Sequence, residues 1–415
     1  MSLRSGAAWS AANGLAAIAM PLLVFVVFVR LLPPESIGTV AFAVAMAEML
    51  KVLGLPGLYE AMLAQRRQRA AHLSAALGAL LSLGLLLFAV HAALLLWWLP
   101  AEMDPALRIA AVLIGARIPI DLAVLQPQAV LGQRMDFRRL ALRGILASTL
   151  SAGLGLLVAG MGAPLAGFTL YQIAQSVTIL VTTVLGTRAL LRPSLRFGRL
   201  RGMVAQGSMA SAVRFVAANN QLDQILLGAL LGARQLGLFN LGKRIEATFI
   251  TASGAFSANL FQPVFAAGNA ERSLRVASGG LMLLTLTAGL GAAWFVANHV
   301  AVVTLVFGIN WIDAAPLAAW LALAGWVRAL GGVCGSWLSV TGRNGMFRTV
   351  GALRPGLMLS GPAARMTKPA IRIDLTTVLD KRRIDTRLTA GSSAFAATAN
   401  GLIDLGASRF GNLVV

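Results

Sequence analysis

The chain has 415 residues, of which 58% are hydrophobic and 12% charged, and its mean hydropathy is +0.78. A water-soluble fold cannot hide that much apolar surface, so the solvent for which the sequence is built is lipid. The net charge of +20 does not point to a nucleic-acid partner: the basic residues fall in short loops, where positive charge orients a membrane protein, and no basic stripe with interleaved aromatics lies on a soluble segment.

An apolar helix of about 20 residues rises about 30 Å, the thickness of a bilayer's hydrocarbon core. Such stretches recur roughly ten times between Ser5 and Val340. The first, near 6–29, is too long for a signal-peptide core and has no clear cleavage site, so it reads as a membrane helix. The rest fall near 38–62, 73–98, 109–131, 144–160, 165–187, 207–231, 237–267, 276–306 and 314–341. In chain order, the second span carries Glu48 and Lys51, three residues apart and able to pair on one face. The fourth carries Arg117 and Asp121, four apart, with Pro119 between them and Pro127 beyond, prolines that kink a helix and free backbone carbonyls. The seventh holds Arg214, Asn219, Asn220, Gln221 and Asp223; the eighth holds Lys243, Arg244 and Glu246; the tenth holds Arg328.

The loops between spans alternate in charge. One set holds seventeen arginines, among them Arg66, Arg67, Arg69, Arg134, Arg138, Arg139 and Arg143, whereas the other holds Arg30, Arg108 and Arg234. That asymmetry predicts a cytoplasmic amino terminus. Trp97, Trp98 and Trp311 lie at the arginine-poor ends, as an outer aromatic belt would. Cys334 is the single cysteine, so no disulfide or cysteine metal cluster forms within one chain, and His72, His91 and His299 lie too far apart to make a ligand pair. No cofactor is expected.

The sequence also echoes itself. Leu31-Leu32 followed by Ile37-Gly38 is matched by Leu230-Leu231 followed by Leu236-Gly237, an offset of 199, and Gly132, Phe137 and Arg138 are matched by Gly342, Phe347 and Arg348, an offset of 210. Each offset contains six spans, so the second copy has the same membrane orientation as the first. The expected fold is an all-α integral membrane protein of about ten transmembrane helices in two parallel lobes around a central cavity, a known transporter plan. A six-helix amino-terminal lobe spans 1–200, and an incomplete carboxy-terminal lobe of about four helices spans 201–350. Residues 351–415 read as a basic tail, soluble or disordered, where two more helices are expected; a reading-frame change near Ser360 to Ala364 and a natural cytoplasmic tail both account for it.

Four stretches stand out as motifs: Arg30-Leu-Leu-Pro-Pro-Glu-Ser-Ile-Gly38; Gln133-Arg-Met-Asp-Phe-Arg138; Leu222-Asp-Gln-Ile-Leu-Leu-Gly228 with Leu236-Gly-Leu-Phe239 and Lys243-Arg244; and Phe307-Gly-Ile-Asn-Trp311 with Ala314-Ala-Pro316 and Thr341-Gly-Arg343. In this order they resemble the polysaccharide transporter family of O-antigen and exopolysaccharide flippases, within the multidrug/oligosaccharidyl-lipid/polysaccharide exporter superfamily. The resemblance covers about residues 1–350. It implies a saccharide carried on polyprenyl pyrophosphate, moved from the cytoplasmic to the periplasmic leaflet of a bacterial inner membrane. Polysaccharide polymerase and glycosyltransferases are then the expected partners, beside membrane lipid.

Charge within hydrocarbon is expensive, so ionisable groups in spans are the functional candidates whatever the family. A pyrophosphate head group crossing lipid needs a cationic path, and arginine suits it because its planar fork holds phosphate and keeps its charge when buried. Arg214, Arg117 and Arg244, then Arg328 and Lys51, are the expected anion contacts. Asn219, Asn220 and Gln221 are the expected sugar contacts, and Asp223, Asp121 and Glu246 the expected coupling carboxylates. The alternative is structural: Glu48–Lys51, Arg117–Asp121 and Lys243–Glu246 are equally readable as neutral pairs that lock helices together. Three rival functions stay open, namely a cation-coupled multidrug exporter, an inactive truncated transporter, and a membrane polymerase or ligase. The last lacks a sizeable outer loop with an acid/base set, and no nucleotide or metal motif occurs. Gly153-Leu-Gly155 is packing glycine inside a helix.

Overall fold

A computed structural model describes residues 20–54, 57–64, 70–134, 137–187, 193–200, 202–205, 219–256 and 270–340. The chain divides into two compact units, residues 1–355 and 356–415, and all described residues lie in the first. Arg214 and the basic tail lie outside the described residues, as does the Gly342–Arg348 half of the second echo.

The described residues are chiefly α-helical: α1 Met20–Leu31, α2 Pro34–Leu53, α3 Gly57–Ala64, α4 Ala70–Trp98, α5 Pro105–Ile114, α6 Arg117–Gln133, α7 Phe137–Gly160, α8 Pro164–Thr187, α9 Asn219–Leu231, α10 Ala233–Phe256, α11 Ala270–Ala297, α12 His299–Phe307 and α13 Ala315–Val340, with 3-10 turns at Phe197–Leu200 and Ile309–Ala314. Among the described residues, seven segments are long and apolar enough to cross a membrane: Pro34–Leu53, Ala70–Trp98, Pro105–Gln133, Leu142–Gly160, Pro164–Thr187, Ser278–Ala297 and Ile309–Gly331. The chain is therefore a multi-pass membrane protein, all-α as expected.

Three expected spans are interrupted. The stretch read as 38–62 begins at Pro34, whose ring is pre-set for a first helical turn, and ends at Leu53 with Gly54 as C-cap; α3 then restarts at Gly57. The stretch read as 276–306 breaks at Asn298, between α11 and α12. The fourth span is cut at Gly115–Ala116 into α5 and α6. Pro119 has no N–H to give the Gly115 carbonyl, and the turn before it tightens to i→i−3 bonds, Gly115 N to Val112 O at 3.0 Å and Ala116 N to Leu113 O at 2.9 Å. Pro127 stays within α6.

The core has two parts. One joins α1, α2, α5, α8, α10, α12 and α13 around Phe25, Phe28, Phe42, Phe168, Leu236 and Trp311. The other joins α3, α4 and α6 to the end of α2. Where α2 meets α10 the approach is reciprocal. A Cβ on Gly38 would collide with the Ala233 carbonyl, and a Cβ on Gly237 would collide with the Pro34 carbonyl. Gly38 and Gly237 are the very pair that the 199-residue echo matches, as are Pro34 and Ala233. Small residues here let two backbones touch. Gly155 and Gly167 do the same between α7 and α8, whereas Gly153 faces open space.

The aromatic-belt expectation is corrected at Trp311. It is 1% exposed, and its indole N–H donates to the Val29 carbonyl at 2.9 Å. Trp98 stacks on Phe42 with centroids 4.0 Å apart, while Trp97 is 84% exposed, as a belt residue is. A buried indole needs an acceptor, and the free carbonyl near the end of α1 supplies one.

Candidate functional site

Two clusters of charge lie inside the helix assembly. The first is built by α2, α6 and α8. Lys51 Nζ lies 2.6 Å from Glu48 and 2.7 Å from Asp121. The Arg117 guanidinium lies 3.7 Å from Glu48 and donates to Gln172 Oε1 at 3.0 Å and to Ser176 Oγ at 3.2 Å. The expected Arg117–Asp121 pair is not among the bonds of the described residues. The Lys51 ammonium occupies Asp121, and Arg117, at the first position of α6, turns toward α8 instead. Two cations and two carboxylates make this cluster neutral.

The second cluster is built by α9, α10 and α13. Lys243 Nζ lies 2.7 Å from Asp223 and 3.6 Å from Glu246. Glu246, whose side chain is 2% exposed, also receives Arg328 from α13. Asn240 donates to Gln224 at 3.3 Å, and Gln224 to Gln221 at 3.4 Å, extending the polar row along α9. These two cations and two carboxylates again cancel. The side chains of Asn219 and Asn220 lie outside the described residues, although both start α9.

Arg244 is different. Its neighbour Lys243 takes the carboxylates, and the Arg244 guanidinium instead sits 5.0 Å from the ring centroid of Phe25 on α1, a cation–π contact. No hydrogen bond or ion pair joins it to another described residue. Tyr171 on α8 lies within electrostatic reach of both Arg244 and Arg117. Of the cations expected to meet an anion, Arg214 lies outside the described residues; among the described ones Lys51, Arg117 and Arg328 are engaged by carboxylates, and Arg244 is the one offering a whole charge. An anion at Arg244 displaces no carboxylate, whereas an anion at the others must compete with one.

Sequence reasoning missed Gln172, Ser176, Tyr171 and Phe25. A signal existed for two of them: Gln172 and Ser176 are polar and four residues apart, the spacing of one face. Phe25 gave none, since a phenylalanine in an apolar helix looks like any other core residue.

At the arginine-poor end each of the three arginines is bonded. Arg30 donates to the Val306 carbonyl at 2.7 Å and to Leu305, at the end of α12. Arg108 donates to the Leu96 carbonyl at 2.9 Å. Arg234 bridges Glu35 at 2.9 Å and Asp313 at 3.1 Å; its hydrogen bonds to Asp313 and then Glu35 raise its pKa above the ordinary arginine value. Three of the four resemblance motifs meet here: Arg30–Gly38, Leu236–Phe239 and Phe307–Trp311. The other stretch ties loops at the opposite end, where Gln133 donates to the Met62 carbonyl at 2.8 Å.

Two cavities open away from these clusters. One of about 490 Å³ is lined by Arg134, Arg139, Leu185, Gly186 and Thr187. The other, of about 440 Å³, lies beside Arg108 and Met103.

Comparison with known proteins agrees with the motifs. A family model described as polysaccharide biosynthesis protein matches residues 27–316. The succinoglycan biosynthesis transport protein ExoT of Rhizobium meliloti is 26% identical over 338 residues, which cover 76% of this chain and 65% of that protein. The teichuronic acid biosynthesis protein TuaB of Bacillus subtilis is 31% identical over 126 residues, 29% of this chain and 26% of that protein. The match therefore spans less than two thirds of either relative. Among solved structures, an inward-facing multidrug resistance MATE family transporter of the MOP superfamily aligns over 82% of this chain and 84% of that one, at 16% identity and a TM-score of 0.48.

Proposed function

The chain belongs to the polysaccharide biosynthesis protein family, and on that premise we propose that it is a flippase. Its cargo is an oligosaccharide on polyprenyl pyrophosphate, moved from the cytoplasmic to the periplasmic leaflet of a bacterial inner membrane for surface or exopolysaccharide synthesis. The observation that carries this reading is Arg244, a guanidinium inside the helix assembly that no described carboxylate neutralises.

Moving a bare pyrophosphate through hydrocarbon costs tens of kcal/mol by idealised estimate. An arginine half-buried among the helices, with an aromatic face beside it and no described carboxylate, removes part of that cost without first breaking an ion pair. Lys51, Arg117 and Arg328 act as secondary contacts, reached when cargo or a proton takes over their carboxylates. Asp223, Asp121 and Glu246 are the coupling groups: a proton on Glu246 releases Arg328, while Asp223 still holds Lys243. Gln221, with Asn219 and Asn220 on the same helix, supplies hydrogen bonds for sugar.

Helices before and after about residue 200 act as two lobes that rock about the Gly38–Gly237 contact. The ties at the arginine-poor end, Arg30 to α12 and Arg234 to Glu35 and Asp313, hold that side shut while the other is open. The arginine-rich loops set the amino terminus in the cytoplasm. The chain performs transport rather than bond chemistry, beside the polymerase and glycosyltransferases of its pathway.

Complementation of a bacterium that lacks its own polysaccharide flippase tests this. Rescue by the parent and loss of rescue in Arg244→Ala, at equal membrane abundance, is the expected result. Absence of rescue by the parent, together with resistance to cationic drugs in the same cells, would replace the reading with a multidrug exporter.

A further inference from the structure

We propose that the Tyr171 hydroxyl is a direct contact of the cargo's phosphate: it donates to the anion that Arg244 holds, so that the anion joins α8 to α10. The inference rests on the reading of Arg244 as an anion contact and adds a residue to that site. Tyr171 is 6% exposed, and its hydroxyl makes no hydrogen bond to another described residue. A buried phenol ordinarily finds an acceptor. This hydroxyl is not sealed in the packing, so an acceptor can reach it. The same holds for the Arg244 guanidinium, whereas the Nε of the paired Arg328 is sealed without a partner.

A row of aromatic rings leads from Arg244 to Tyr171. The Arg244 guanidinium sits 5.0 Å from the centroid of Phe25. Phe28, on the same face of α1, lies 4.8 Å from Phe168 of α8. Phe168 in turn lies parallel to Tyr171, with centroids 6.4 Å apart and planes 8° apart. The next residue of α8, Gln172, receives Arg117 at 3.0 Å, which leaves Tyr171 within electrostatic reach of both guanidinia. A guanidinium only donates, so neither arginine can take the phenol proton. That proton is left for an acceptor from outside, and two cations make an anion the favoured one. Glu48 stands 3.7 Å from Arg117, but no described acid offsets Arg244. Residues 1–19, 206–218 and 257–269, which lie outside the described residues, contain no Asp or Glu. A sugar hydroxyl can accept the same proton but has no use for the cations beside it.

Binding, rather than transport, tests the hydroxyl. The full chain in mild detergent is titrated calorimetrically with farnesyl pyrophosphate, and with farnesol, which has the tail and no phosphate. Tyr171→Phe keeps the ring and its packing and removes one donor. It should bind farnesyl pyrophosphate about tenfold more weakly than the parent, the loss expected of one hydrogen bond to a charged group, and farnesol as the parent does. Tyr59 is the one other tyrosine of the chain, and Tyr59→Phe should bind as the parent does. In that variant, labelled with 3-fluorotyrosine, the single fluorine resonance should shift with farnesyl pyrophosphate and not with farnesol. Parent-like binding by Tyr171→Phe, where Arg244→Ala is weakened, would reduce Tyr171 to packing and overturn the inference while leaving the transport reading in place. Parent-like binding by Arg244→Ala would overturn both.

Discussion

The arginine-poor end and the middle of α10 use the same side chain in opposite ways. At the arginine-poor end Arg30, Arg108 and Arg234 are each spent on a carbonyl or carboxylate of another segment: Arg108 joins α5 to α4, and Arg30 and Arg234 join α1, α2, α10, α12 and the turn before α13. In the middle of α10, Lys243 is likewise paired with Asp223, and Glu246 with Arg328 of α13, yet Arg244 faces an aromatic ring. An arginine kept against the topological preference of a loop has a bonding partner that makes it structural. On the proposed reading, an arginine inside the helices that no described carboxylate neutralises is kept for an anion that arrives from outside. Pairing separates architecture from binding: removing a paired group should cost stability, and removing Arg244 should cost transport.

The comparison breaks hardest at Glu246. Glu246→Gln leaves Lys243 and Arg328 without their shared carboxylate in a nearly water-free position, and a severed buried pair costs about 3–5 kcal/mol. Unfolding in detergent should show that loss, and an unchanged midpoint would mean that water reaches the cluster. Next comes Gly38→Leu, which drives a side chain into the Ala233 carbonyl. Overpacking of this kind costs about 1–3 kcal/mol, and here it should also part α2 from α10, visible as a lower unfolding midpoint with reduced transport.

Arg244→Ala sharpens the contrast. Transport should fall about tenfold, equivalent to about 1.4 kcal/mol, with the unfolding midpoint nearly unmoved because no carboxylate is orphaned. Arg244→Lys should recover part of the rate, since charge returns without the planar fork. The smallest effect belongs to the exposed tie at the arginine-poor end. Glu35→Arg should alter transport severalfold by repelling Arg234, and the exchange Glu35→Arg with Arg234→Glu should restore most of it. An exchange no better than the single change would show that Asp313 alone holds Arg234.

How much of this was legible in the sequence varies by residue. The echo that matched Gly38 to Gly237 was read from spacing, and the structure brings those two residues together. The four motifs named the family, but Arg30–Gly38 and Phe307–Trp311 turn out to hold helix ends, as Arg30 and Trp311 show, whereas the stretch with Asp223 and Lys243-Arg244 carries the second charge cluster. The break after Leu53 was signalled by Gly54 and Pro56 and overruled by the apolar run through it; turn residues deserve more weight there. Partner choice was the least legible. Helical spacing offers Asp121 to Arg117, but Lys51 arrives from α2 and takes it. Likewise Lys243-Arg244 are adjacent in sequence, and nothing local says which of them the acids of α9 and α10 will neutralise. A one-residue step turns a helix by about 100°, which sends Lys243 to Asp223 and Arg244 to Phe25.

The most direct test is flipping itself. Full-length chain is reconstituted into vesicles with a polyprenyl-pyrophosphate oligosaccharide, and movement between leaflets is followed by access of an external glycosidase. The account predicts protein-dependent movement that Arg244→Ala slows about tenfold while empty vesicles show none. Movement at equal rates with and without the protein, or a variant as fast as the parent, would contradict it.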